Sequence, residues 1–108
     1  ARTLFIAGQI GWDAAGKFVS ADFAAQFVQA LDNVLAVVRA AGGGPTNLAR
    51  LTVYVTDKAG YVAARKAIGA AWRERLGRHF PAMTLVQVAR LFDPGALIEV
   101  EAAAVVPE

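Results

Sequence analysis

The chemistry open to this chain is narrowed first by what its residues cannot assemble. Ser20 is the single serine and sits in no Gly-x-Ser-x-Gly elbow, and His79 is the single histidine, so a Ser-His-Asp triad has almost no material. No cysteine is present, which removes thiolate nucleophiles, disulfides and zinc-thiolate sites. One histidine cannot supply the two or three ligands of a catalytic zinc, so no metal is expected. His79 lies in the turn-rich stretch Gly77-Arg78-His79-Phe80-Pro81, where a surface histidine is expected rather than a proton-transfer group. Lys58, Arg65, Lys66, Arg73, Arg75 and Arg78 place six of the eleven cations between residues 58 and 78. Nucleic acid is the obvious partner for such a segment, but it carries no RRM, KH or helix-turn-helix signature, so a solvated helix face and no nucleic-acid partner are expected. Gly42-Gly43-Gly44-Pro45 follows a helix where a phosphate-binding loop would precede one, and it lacks the Lys-Ser/Thr ending; it reads as a helix stop. Two carboxylates, Glu99 and Glu101, remain two residues apart and therefore on one face of a strand, with Arg90 as a candidate anion contact.

The elements that must carry these groups follow from periodicity. Residues 2–10 read as a strand, followed by a turn over 11–16 and a short strand over 17–19. Ser20 or Asp22 then caps a helix whose apolar stripe is Phe23, Phe27, Ala30, Leu31, Val34 and Val38, with Gln26, Gln29 and Asn33 on another side. From Arg50 to Asp57 the pattern alternates, with Leu51, Val53 and Val55 on one face. Thr56 or Asp57 caps a second helix with Tyr61, Ala64, Ile68, Ala71, Trp72 and Leu76 inward and Gly77 as its stop. Residues 83–91 form a strand apolar on both faces, and 97–106 one with Ile98, Val100, Ala102, Ala104 and Val106 inward. This order predicts an α+β fold, a mixed sheet with both helices on one face, in a single domain over residues 1–108.

Composition adds a statement about assembly. Hydrophobic residues make up 56% of the chain against roughly 45–50% in ordinary soluble proteins, and charged residues only 19%, with a net charge of +2. The uncovered sheet face would show Thr52, Tyr54, Leu97, Glu99, Glu101 and one side of strand 83–91, too apolar for water and too charged for a dry core. Self-association that packs these faces together and leaves wet clefts at the seams is the expected remedy. No apolar run reaches the roughly 18 residues of a membrane span, so no membrane partner is expected. The chain begins at Ala1 with no signal-peptide pattern, and the cytoplasm is the expected compartment.

Several short motifs, in order and at consistent spacing, make this chain resemble the RidA/YjgF family. They are Ala7-Gly8-Gln9-Ile10, Gln26 with Ala30-Leu31-Asp32-Asn33, Ala40-Ala41-Gly42, the strand Leu51 to Asp57, Phe80-Pro81-Ala82, and Val88-Ala89-Arg90-Leu91 leading to Ile98-Glu99-Val100-Glu101-Ala102. The resemblance implies a chorismate-mutase-like fold, a homotrimer, and small-molecule pockets between subunits. It also implies hydrolysis of reactive enamines and imines to ketones or keto acids with release of ammonia, without a cofactor. A non-catalytic metabolite-binding trimer, acting as sensor or carrier, is the alternative. Relatives have also been described as endoribonucleases, a role this composition does little to support.

Within that resemblance Gly8, Gln9, Met83, Thr84 and Glu99 fall at pocket positions, with Arg90 as the further anion contact. Glu99 is the expected catalytic group: a carboxylate orients or deprotonates water where desolvation and a like charge, here Glu101, favour proton uptake. An ion pair of Glu99 with Arg50 or Arg90 is the competing reading. The chain departs from the family at Met83, where imine-hydrolysing members carry an arginine whose planar fork binds the substrate carboxylate. Arg65 stands where an asparagine is common; it either replaces the lost charge or is a solvated helical cation. The tyrosine-bearing segment that usually precedes the first strand is absent from this sequence.

Overall fold

Two aspartates set the helices. Asp22 accepts a hydrogen bond from the Ala25 amide (3.0 Å) and opens α1 (Phe23–Ala40), and Asp57 does the same for the Ala59 amide (3.0 Å) at the start of α2 (Lys58–Leu76). Ser20, the other expected cap, instead accepts from the Asp22 amide (2.9 Å) and shapes the approach to α1. Gly77 ends α2 at φ +59°, a backbone that resists side chains. These features lie in a computed structural model that describes all 108 residues.

Four strands, β1 (Arg2–Gln9), β2 (Leu48–Val55), β3 (Ala82–Gln87) and β4 (Ile98–Val106), form one sheet in the order β1-β4-β2-β3. β4 runs antiparallel to both neighbours, whereas β2 and β3 are parallel because α2 carries the chain back between them. A single turn of 3-10 helix, Pro45–Asn47, links α1 to β2. Leu51, Val53 and Val55 of β2 and Ile98, Val100 and Ala104 of β4 are buried against Leu31, Val34, Leu35 and Val38 of α1 and Ile68, Trp72 and Leu76 of α2. Full burial of each such aliphatic side chain is worth roughly 1.5–3 kcal/mol, so this shared core holds both helices on one face of the sheet.

Two expected strands are shortened, for identifiable reasons. The strand at 17–19 reduces to one bridge between Trp12 and Phe18. Asp13 Oδ1 accepts from the Ala15 and Lys17 amides (2.9 and 3.1 Å), and the chain then turns at once into the α1 cap, leaving no length for a ladder. The strand expected to run to residue 91 ends at Gln87, because β3 pairs with β2 alone and β2 ends at Val55 where the α2 cap begins. Val88 donates a last bond to the Val55 carbonyl (2.8 Å) and Gln87 Oε1 accepts from the Lys58 amide (2.8 Å). Arg90 therefore lies in an exposed loop, not on a strand.

His79 is not a free surface group. It is half-buried, its Nε2–H donates to the Leu48 carbonyl (2.7 Å), and its own carbonyl accepts from Trp72 Nε1 (3.2 Å), which ties the end of α2 to the start of β2.

Candidate functional site

Alternation along β4 decides which of its residues can meet a ligand. Ile98, Val100 and Ala102 enter the core, so Glu99 and Glu101 stand on the face away from the helices. β1 lies beside β4, and their pairing slips between Ile6 and Gln9. At that irregularity Gly8 comes against Glu99 so closely that a methyl group on Gly8 would fall on the Glu99 carboxylate. The Gln9 side-chain amide donates to the Ala7 carbonyl across the same irregularity (3.0 Å). Gly8 and Glu99 are thus brought together at one edge of the bare face, whereas Gln9 pairs with the buried Val100 and not with Glu99.

Tyr54 of β2 is the residue paired with Glu99 in register, and its hydroxyl donates to Glu101 Oε1 (2.5 Å). This hydrogen bond, followed by burial and the charges of Glu101 and Glu99, raises the Tyr54 pKa above its ordinary value of 10.0. Glu99 is half-buried and forms no ion pair, so neither Arg50 nor Arg90 neutralises it. Thr84 shares this face but pairs with Thr52, two strands from Glu99, or roughly 10 Å at ordinary strand spacing.

Met83 lies on the other side of the sheet. It pairs with Leu51, whose side chain is in the core, and so faces the helices. There it lines a hollow of about 300 Å³ between α2 and β3, with Phe27, Ile68 and Trp72 among its apolar walls and Arg65 and Arg73 among its polar ones. Arg65 is exposed and lines this hollow together with Met83. Within the single chain the predicted residues therefore divide, Gly8 and Glu99 on one face and Met83 on the other, with Gln9 paired to the buried Val100. Thr84 stands apart from Glu99, and Arg90 reaches neither group through an ion pair.

Three amides that lie off the apolar stripe of α1, Gln26, Gln29 and Asn33, fasten the segments around this site. Gln26 is buried, donating to the Ser20 and Gly95 carbonyls (2.9 and 3.1 Å) and accepting from the Leu97 amide (2.9 Å), two residues before Glu99. Asn33 donates to the Ile10 and Trp12 carbonyls (3.1 and 2.9 Å), and Gln29 donates to Asn33 (2.9 Å). The signal was in their type: a solvated helix face ordinarily carries Lys and Glu, whereas three amides at steps of three and four suit the satisfaction of buried backbone groups.

A family model described as Endoribonuclease L-PSP matches residues 1–106. The human protein named 2-iminobutanoate/2-iminopropanoate deaminase is 35% identical over 105 residues, covering 96% of this chain and 73% of that protein. The protein of the same name from Escherichia coli K12 is 38% identical over 102 residues, covering 94% and 78%. Among solved structures, the Rid-family protein YyfB from Yersinia pestis superposes with a TM-score of 0.82 at 39% identity, covering 96% of this chain and 78% of that one. No helix here is long and apolar enough to cross a membrane.

Proposed function

This chain belongs to the RidA/YjgF (Rid) family, and from that membership we propose that it binds small metabolites in clefts between subunits of a homotrimer and hydrolyses reactive imines and enamines there. The observation that carries the reading is the division of the candidate residues: the sheet separates Glu99 and Gly8 from the Met83 hollow, so a cleft containing both needs a second copy of the chain. Unburied apolar side chains support self-association: Phe5 is 84% exposed and Val86 and Val105 also face away from the helices.

Glu99 takes a proton from a water molecule as the oxygen adds to the imine carbon. The nitrogen takes up protons, the C–N bond of the resulting carbinolamine breaks, and ammonia leaves. Imine and water together give ketone and ammonia, so the atoms balance; an enamine first takes a proton on carbon to become the imine. Gly8 gives the carboxylate room beside the main chain, and Gln9 fixes the local bend of β1.

Complementation tests this directly. Glu99→Gln removes the base and Met83→Glu places a like charge in the hollow, so each variant alone should release no ammonia from a 2-imino acid generated by an amino-acid oxidase. Mixed and refolded together, some clefts combine an intact half from each variant, and activity should return. Failure to recover activity in mixed oligomers would remove the shared cleft; wild-type ligand affinity without turnover would assign the protein to the sensor or carrier class.

A further inference from the structure

Arg65, Gly69 and Arg73 are four residues apart along α2 and share one face, together with Tyr61 and Trp72. Glycine in a helix interior weakens the helix relative to alanine, and internal packing does not require it here. A Cβ at Gly69 would meet only Arg73 Nη1, at 3.6 Å. What the missing side chain does provide is space, because Gly69 lines the hollow over the apolar floor of Phe27, Ile68 and Trp72. Two guanidinium groups border that space and no carboxylate does. Neither Arg65 nor Arg73 enters an ion pair, in contrast to Arg75 of the same helix, which is paired with Asp32.

We propose that this hollow recognises a small monocarboxylate with an apolar or aromatic body, and that Arg65 from α2 supplies the carboxylate clamp. Met83 gives its strand position no donor. The proposal rests on the reading that the hollow is half of the ligand cleft. A volume of about 300 Å³ lies at the small end of ligand pockets and suits a single-ring acid rather than a nucleotide. The Arg65 fork matches a carboxylate, Arg73 adds positive field, and the flexible Met83 thioether and the Trp72 ring wall the apolar body.

Phenylacetate, phenylacetamide and inorganic phosphate, titrated calorimetrically into the full chain, test the idea. Phenylacetate should bind and weaken with added salt; the neutral amide and phosphate should bind far more poorly. Arg65→Gln should weaken phenylacetate roughly 10- to 100-fold, the scale of one charge-assisted hydrogen-bonding contact, with Arg65→Lys intermediate. Gly69→Leu should fill the hollow and abolish binding, while Lys66→Gln, which removes a neighbouring exposed charge outside it, should change little. Equal binding of acid and amide, or equal losses in Arg65→Gln and Lys66→Gln, would overturn the proposal. Glu99→Gln separates the two readings: it should keep phenylacetate affinity while losing imine turnover. Wild-type turnover without phenylacetate binding would sink this inference and leave the hydrolase reading standing.

Discussion

Replacing Gln26 by methionine keeps the length of the side chain and removes both the donor and the acceptor that fasten two segments to α1. Three backbone groups lose their partner: the Ser20 carbonyl, the Gly95 carbonyl and the Leu97 amide. Gly95 is exposed, so its carbonyl can turn to water, whereas Ser20 and Leu97 are partly enclosed. A buried polar group left unpaired costs about 1–3 kcal/mol, giving roughly 2–6 kcal/mol for two. Burying a thioether instead of an amide returns about 1–2 kcal/mol, leaving a net loss of about 1–4 kcal/mol. Against the roughly 5–15 kcal/mol of a typical domain that is a substantial fraction, and it corresponds to a melting temperature lower by about 5–25 °C. Urea unfolding followed by tryptophan fluorescence, at one fixed protein concentration because assembly couples to stability, measures it. Gln29→Met, which loses only the bond to Asn33, should cost less than about 1 kcal/mol and serves as the comparison. A Gln26→Met protein within about 0.5 kcal/mol of wild type would refute the reasoning, because solvent would then be satisfying all three groups.

Gly8→Ala should leave stability nearly unchanged yet strongly reduce imine turnover, since the new methyl group meets the mobile end of Glu99 and displaces the carboxylate; ammonia release and thermal melts on the same sample check both halves. The Tyr54 phenol should titrate above its ordinary value in an absorbance scan, and Glu101→Gln should bring it down. Because the folded-state pKa is raised, the hydrogen bond's stabilising contribution is complete below pH 10.0 and disappears as the pH climbs through the folded value, so Tyr54→Phe should match wild type more closely at high pH than at neutral pH. Single-stranded RNA should bind no better than about 10⁻⁴ M at physiological salt and should not be cleaved, which a fluorescence anisotropy titration and a gel would check; submicromolar affinity with little salt dependence contradicts this.

Much of the fold was legible in the sequence because the decisive signals are local. Asp22 and Asp57 cap through groups two or three residues away, Gly77 stops α2 by its own backbone freedom, and the alternation of β2 and β4 identifies their buried faces. The face on which Glu99 stands was readable for the same reason, since it must point away from Ile98 and Val100. Gln26 was not, because its burial depends on the segments at 20 and 95–97 folding over it, contacts that span up to 71 residues. Nor was the length of β3, which is set by where its only neighbour ends. The side on which Met83 falls was equally hidden. Strand 83–91 is apolar on both faces, so its pattern fits either orientation, and a slip of one residue against β2 would exchange Met83 for Thr84. Only the pairing of Leu51 with Met83, imposed as α2 docks and carries the chain back to the sheet, puts that methionine beside Arg65 and separates it from Glu99 by the thickness of the sheet.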